Sequence, residues 1–314
     1  MGNFFSAFFP PRPPFDIAGN VPDLTGQVII VTGCVLLNKN AKVYLAARSK
    51  TKADEAIEWL KRETGGKVAI FLELDLASLA SVRKAAEEFK SKEHELHVLF
   101  NSAGVMIPPV DEKTLDGYDL QFGTNVLGHY FFTTLLLPTL IHTAKNSPVA
   151  DGQVRVVNTS SAALWQPPRG GIAWDTLGTD EASQAACRRV GRFWLYGQSK
   201  LGNVLFSNEL ARLYQDQGVV SISLHPGAIK TDLHRHTMPW IPLWIKESLM
   251  DVLLYSASQG ALTQLYAGVI PEARHLSGKF LIPWTREKDP GPLANDAVLS
   301  AKLWNWCAEQ VKGH

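Results

Sequence analysis

Apolar positions in this chain fall into short solid runs separated by stretches with helical spacing. Gln27–Thr32, Lys42–Ala46, Lys67–Leu74, His97–Asn101, Val154–Thr159 and Val219–Leu224 are rich in Val, Ile, Leu or Phe. Such runs predict strands buried on both faces. Lys279–Ile282 predicts a last short strand. Between the runs, Thr51–Thr64 aligns Ala53, Ile57 and Leu60 on one face, and Ser78–Ser91 aligns Val82, Ala85 and Phe89. Gly117–Ile141, Gly197–Gln215 and Ser256–Ala267 predict further helices, and the Gly/Pro/Arg-rich stretch Pro167–Arg192 a surface loop with a short helix. Buried strands alternating with helices predict an α/β fold, a doubly wound parallel sheet. Its ligands sit beyond the carboxyl ends of the strands.

Length and composition narrow this picture. The 314 residues predict an N-terminal arm, residues 1–23, and a single folded domain, residues 24–314. With 31 basic against 30 acidic residues and no basic run, a nucleic-acid partner is excluded from the expectation. Cys34, Cys187 and Cys307 lie far apart, without metal spacing or a disulfide framework. No metal is expected, and a reducing, cytoplasmic location is. No uninterrupted apolar run reaches the ~18 residues of a membrane span.

The first residues, MGNFFSAFFPPRPPF, admit two readings. Gly2 and Ser6 fit the N-myristoylation pattern, with Phe4, Phe5, Phe8 and Phe9 entering a membrane interface. A single acyl chain would give only weak membrane association. Alternatively, the aromatics pack on the domain and Pro10, Pro11, Pro13 and Pro14 end the arm.

The strongest chemical signal is Tyr196-Gly197-Gln198-Ser199-Lys200 at the opening of a predicted helix. Four-residue spacing puts Tyr196 and Lys200 on one face, one turn apart. A free phenol has a pKa of about 10, and a neighbouring ammonium lowers it toward use as a general acid or base. Taken singly, the pair also reads as a tyrosine at a helix start with a solvated lysine. Context strengthens it. Val154–Ser161 ends in hydroxyls where an open sheet presents its site, and Asn101-Ser102-Ala103-Gly104 ends the preceding strand in a small-residue turn. Asn125 is a polar residue inside an otherwise apolar helix. Each alone reads as a cap, a turn or a satisfied amide; together, in this order, they read as a site.

In these motifs the chain resembles the short-chain dehydrogenase/reductase family, in particular its retinol dehydrogenase-like and WW-domain oxidoreductase-like branch. The matching residues run from Thr32-Gly33 through Asp75-Leu76, Asn101–Gly104, Asn125, Ser161, Tyr196 and Lys200 to His225-Pro226-Gly227 and Thr231. The resemblance covers about Leu24 to Trp284 and implies a Rossmann-like fold and an oxidoreductase interconverting an alcohol and a carbonyl with NAD(P). It implies that Ser161 hydrogen-bonds the substrate oxygen, that Tyr196 transfers the proton, and that Lys200 holds the nicotinamide ribose and tunes Tyr196. Asn125 would support a water relay behind Lys200. Thr32 and Gly33 belong to the phosphate loop, and the turn containing Asn101, Ala103 and Gly104 would line the adenosine and ribose side. Asp75, with Leu76, would meet the adenine; Pro226, Gly227 and Thr231 would flank the nicotinamide. The second strand ends Ala46-Ala47-Arg48-Ser49, with no acid to catch a ribose 2′-hydroxyl. A guanidinium suits a 2′-phosphate, so NADP(H) is favoured over NAD(H); Arg48 also reads as a solvated residue.

One stretch departs from the family pattern, TGxxxGxG followed by a full helix. Here Thr32-Gly33-Cys34-Val35-Leu36-Leu37-Asn38-Lys39-Asn40-Ala41 keeps only the first glycine. The missing glycines and helix N-terminus are the donors that would meet a pyrophosphate. A right-handed crossover takes at least about 10–12 residues, so the first βα unit is shortened. A shortened gene product, a catalytically silent binding or interaction protein of the same fold, and weak dinucleotide binding through the remaining contacts all accommodate this. The agreement of the other motifs favours the first.

Met238–Tyr255 is strongly apolar, with Trp240, Ile241, Leu243, Trp244, Ile245, Leu249, Val252 and Leu253, where the family builds its substrate lid. A small apolar alcohol or carbonyl substrate is the expectation. The alternatives are a helix covering the core or one packed against a second subunit of a homo-oligomer.

Overall fold

The computed structural model describes residues 20–31, 36–229 and 254–314. Residues 1–19 of the N-terminal arm, with Gly2, together with Thr32, Gly33, Thr231 and residues 238–253, with Trp240 and Trp244, lie outside the described residues.

Among the described residues, eight strands form a sheet in the order β3-β2-β1-β4-β5-β6-β7-β8. They are β1 (Val28–Val31), β2 (Lys42–Ala47), β3 (Ile70–Glu73), β4 (Val98–Asn101), β5 (Val154–Thr159), β6 (Val219–Leu224), β7 (Phe280–Ile282) and β8 (Arg286–Glu287). All neighbours pair in parallel except β7 with β8, an antiparallel edge pair that sequence patterning did not foresee. Side chains alternate across a strand, and here both faces are covered. Val28 and Ile30 of β1 join one core cluster, while Ile29 and Val31 join the other. β2 divides in the same way, Tyr44 and Ala46 against Val43 and Leu45. That double burial is why the strands read as unbroken apolar runs.

The helices are α1 (Lys50–Glu63), α2 (Leu79–Lys92), α3 (His129–Asn146), α4 (Glu181–Val190), α5 (Arg192–Tyr214), α6 (Ala257–Val269) and α7 (Ala297–Gln310). Ala53, Ile57 and Leu60 of α1 and Leu265 of α6 pack into one cluster; Phe89 of α2, Phe132 of α3, Leu201 and Leu205 of α5 and Leu303 of α7 pack into the other. The C-terminal helix α7 had no counterpart in the sequence reading. Its Trp304 stacks on Phe206 at 5.9 Å and meets Tyr130 edge-on at 4.9 Å, which wedges α7 against α3 and α5. Packing at the chain's start begins with Val21 and Leu24, both buried.

Two helix starts differ from the expectation. The helix expected from Gly117 begins as a short α segment, Leu120–Phe122, and passes through a π-turn, Gly123–Gly128, before α3. The helix expected from Gly197 starts at Arg192, because Gly191 (φ 84°) separates it from α4. That conformation suits glycine, which allows two helices to meet at one residue.

β1 ends at Val31 and its parallel neighbour β2 begins at Lys42; of the connection, residues 36–41 are described and hold a 3₁₀ turn, Leu36–Lys39. Leu36 and Leu37 are buried in the same cluster as Ile29, Val31, Val43 and Leu45.

Candidate active site

The site forms where β4, β5 and β6 end. Their last residues lead into Ser102 and Gly104–Ile107, Ser160–Ala163 and His225–Ile229, which line a cavity of about 430 Å³. Tyr196 and Lys200 of α5 close its floor, Phe193 stands at its mouth and Gln264 of α6 enters from the side. This is the position a doubly wound sheet offers a ligand.

Register places the hydroxyls at the end of β5, and packing sorts them. Ser160 is buried and donates its Oγ hydrogen to the Lys200 carbonyl at 2.7 Å, tying the strand end to α5. Ser161 is half-buried, lines the cavity and hydrogen-bonds the Tyr196 phenol. Both serines line the cavity; Ser161 is the more exposed of the two and is the one bonded to the phenol.

Tyr196 and Lys200 share a helical face as the spacing predicted, with Lys200 Nζ 5.8 Å from the centroid of the Tyr196 ring. Their electrostatics differ from the simple expectation of a depressed phenol pKa. Burial pushes Tyr196 up to about 12, and the Ser161 hydrogen bond opposes this only partly. Burial likewise brings Lys200 down to about 8. The ammonium is drawn to the Thr159 carbonyl at 3.1 Å and sits over the ring. Taking both groups out of water disfavours both charged forms. The phenol therefore keeps its proton at neutral pH, in the form that donates to a carbonyl oxygen.

Asn125 sits in the π-turn, a helical irregularity that recurs at functional sites. Its Oδ1 accepts from the Val105 amide at 2.8 Å, and its Nδ2 donates to the Val105 carbonyl and to Ser199 Oγ, each at 3.0 Å. Its own carbonyl accepts from Asn203 Nδ2 at 2.6 Å and from His129 Nδ1 at 3.0 Å. The geometry makes Asn125 a strut between the turn after β4 and α5. His129 and Asn203 escaped sequence reasoning, although both lie at helical spacing from residues it singled out.

The expected cofactor residues divide into two groups. Gly104, Tyr196, Lys200, Pro226 and Gly227 line the cavity. Arg48, Ser49, Asp75, Leu76, Asn101 and Ala103 do not. Arg48 is exposed beyond the end of β2, and Ser49 caps α1 by accepting from the Lys52 amide. Asp75 accepts from the Ala77 amide at 3.0 Å, and Leu76 is buried. Asn101 is turned inward: its Nδ2 donates to Thr133 Oγ1 at 3.0 Å and to Asn158 Oδ1 at 2.9 Å. Its amide joins β4, β5 and α3 within the core, because alternation points this last strand residue into the protein. A Cβ on Gly104 would stand 2.8 Å from Asn125 Oδ1. Glycine is needed there to admit the Asn125 amide rather than a ligand.

Gln264 was also missed. Its Oε1 accepts from Ser102 Oγ at 2.9 Å, a contact spanning 162 positions that no local motif could signal. His225, beside Pro226 and Gly227, is buried and held down to about 4, hence neutral. Among the described residues there is no metal-binding cluster of His, Cys, Asp or Glu, and no helix long and apolar enough to cross a membrane.

The NAD(P) fit can be judged at both ends. Around the cavity the residues suit a nicotinamide riboside: the Lys200 ammonium has three donors and, among the described residues, gives one to Thr159. Among the described residues, no α-helix lies between β1 and β2. The pyrophosphate end is not matched in the way the nicotinamide end is.

Comparison with known proteins agrees with this architecture. The short chain dehydrogenase family model matches residues 28–174. A short-chain dehydrogenase/reductase of Armillaria gallica is 48% identical over 327 aligned positions, covering 100% of this chain and 100% of the relative. The fold is shared with Brucella melitensis 3-ketoacyl-(acyl-carrier-protein) reductase complexed with NADH, at TM-score 0.58 and 21% identity over 82% of this chain and 96% of that one. It is also shared with Pseudomonas aeruginosa RhlG in an NADP active-site complex, at TM-score 0.57 and 22% identity over 82% and 95%. The chain belongs to the short-chain dehydrogenase/reductase family, oxidoreductases whose Rossmann-like fold binds NAD(P)H and a small-molecule substrate.

Proposed function

We propose that this chain is an NADP(H)-dependent oxidoreductase that interconverts an apolar alcohol and its aldehyde or ketone, in the manner of a retinol dehydrogenase. The observation that carries the reading is the convergence of Ser161, Tyr196 and Lys200 on one cavity beyond β4–β6. Ser161 holds the substrate oxygen, and Tyr196 gives a proton to that oxygen or takes one from it. Lys200 holds the ribose hydroxyls and, positioned by the Thr159 carbonyl, favours the charged form of Tyr196 once a ligand completes the site. A nicotinamide, when bound, supplies or accepts the hydride; the protein supplies position and electrostatics. Asn125 fixes the geometry as a strut.

Arg48, beyond β2 and without an acid beside it in sequence, supports preference for a 2′-phosphate. An apolar substrate is supported by Val105, Met106, Ile107, Ala162, Ala163, Phe193 and Ile229 around the cavity. The chain leaves at Ile229 and returns at Tyr255, two residues paired in a parallel bridge. Cytoplasmic residence, with weak membrane association through the arm, and a homo-oligomer remain readings from the sequence.

A second reading, a catalytically silent binding protein of the same fold, is favoured by the short β1–β2 crossover. An alignment of 327 positions against a chain of 314 supports the loss of residues relative to the Armillaria protein. Titration with NADPH, followed by assays on apolar aldehydes and ketones, separates the two. Turnover that Tyr196→Phe abolishes is the expected result. Turnover surviving that substitution removes the acid/base assignment, and a folded chain that binds no nucleotide supports the silent protein.

A further inference from the structure

Resting on the oxidoreductase reading, we infer that this chain holds its cofactor by the nicotinamide half, so that reduced nicotinamide mononucleotide binds about as well as NADPH.

A doubly wound sheet normally meets a dinucleotide at three places: nicotinamide, pyrophosphate and adenosine. The pyrophosphate is met by the first βα turn, where glycines admit the backbone and a helix N-terminus aims free N–H groups at the charge. Here ten residues separate β1 from β2, and the described ones, 36–41, hold a 3₁₀ turn, Leu36–Lys39. A single turn of that kind has neither the aligned dipole nor the row of free amides that a helix of several turns presents. Nor can a crossover helix be added without displacing core. Leu36 and Leu37, each 2% exposed, fill that face of the sheet against Ile29, Val31, Val43 and Leu45. The next described helix, α1, follows β2, and its N-cap is already served by Ser49.

The adenosine end is weakly supplied as well. Arg48 is exposed, so a contact to a 2′-phosphate is made in water, screened by salt and opposed by the entropy of a long side chain. Asp75 uses Oδ1 on the Ala77 amide. The nicotinamide end is the opposite case: a cavity of about 430 Å³ lined by Lys200 and Tyr196, both buried. Burial strengthens each polar contact made there. Contact to the dinucleotide is therefore concentrated at one end, and the adenosine phosphate half adds little.

Intrinsic tryptophan fluorescence of the full chain, titrated with reduced nicotinamide mononucleotide, NADPH and 2′,5′-ADP, tests this. The expected result is a mononucleotide Kd within about tenfold of that for NADPH, with 2′,5′-ADP the weakest of the three. Lys200→Ala should weaken the mononucleotide and NADPH alike, and Arg48→Ala should change NADPH binding by less than about tenfold. NADPH binding more than about tenfold tighter than the mononucleotide overturns the inference while leaving the oxidoreductase reading intact. So does mononucleotide binding that survives Lys200→Ala, since it would then lie elsewhere. If no nucleotide binds the folded chain, both readings fall together.

Discussion

At the scale of single residues, the site depends on what is buried and on what has no side chain. Lys200, brought down to about 8 by burial, holds its proton at neutral pH and loses it just above. Tyr196, near 12, stays protonated throughout that window. Carbonyl reduction should therefore be flat through neutrality and fall above pH about 8. A kcat/KM profile that kept rising to pH 9.5 would mean that the lysine charge is not needed. Gly197, between the catalytic pair, sets a second test. Alanine there would raise helix propensity by about 1 kcal/mol. Its Cβ, however, would stand 2.1 Å from the Gln166 carbonyl oxygen and 3.0 Å from that of Ala163. Those atoms are backbone and yield poorly, and overpacking of this kind costs about 1–3 kcal/mol or more. The clash should win, and Gly197→Ala should lower Tm by several degrees. An unchanged Tm would show that α5 is free to slide on the turn beneath it.

Among elements, the π-turn before α3 couples the turn after β4 to α5. Asn203 lies on α5 with Tyr196 and Lys200, and its Nδ2 holds the Asn125 carbonyl. Replacing it with leucine removes that hydrogen bond, a cost of about 1–3 kcal/mol. It also removes Asn203 Oδ1, a buried acceptor without a partner among the described residues, whose burial itself costs a similar amount. The two effects nearly cancel in stability, whereas the position of Asn125 does not recover. Asn203→Leu should leave Tm within a few degrees and lower kcat by roughly tenfold with little change in KM. Equal loss in kcat and in thermal stability would reduce Asn203 to a packing residue.

For the molecule as a whole, buried titratable groups decide how stability responds to acid. Burial lowers His129 and His225 to about 4, so the folded protein keeps them neutral while an unfolded chain protonates both near 6.5. Stability from these residues is present above about pH 6.5 and is lost as pH falls toward 4. Asp119 works the other way. Burial raises it to about 6, so the folded state holds a proton that an unfolded carboxylate has released, and stability is gained as pH falls from about 6. Each group is worth at most about 3 kcal/mol, and two histidines outweigh one aspartate. Tm should drop between pH 6.5 and 4.5. A Tm that held steady or rose over that range would contradict neutral buried histidines.

The chain's own pattern determined most of the architecture. Runs such as VIIV in β1 are apolar on both faces because both faces are covered, and that property is written locally. The pairing of Tyr196 with Lys200 was legible for the same reason: the two are one helical turn apart wherever the helix lies. Tertiary structure decided everything that depends on which distant groups meet. Burial, rather than the neighbouring ammonium, sets the Tyr196 phenol, and pleat alternation turns Asn101 into the core while Ser161 faces the cavity. Trp304 secures a C-terminal helix by packing on Phe206, nearly a hundred positions earlier. Gln264 reaches Ser102 across 162 positions. Local spacing fixes what lies on one strand or helix face. Contacts between elements and the solvent they exclude exist only once the chain has folded, and they sort one family pattern into residues that face a ligand and residues that hold those in place.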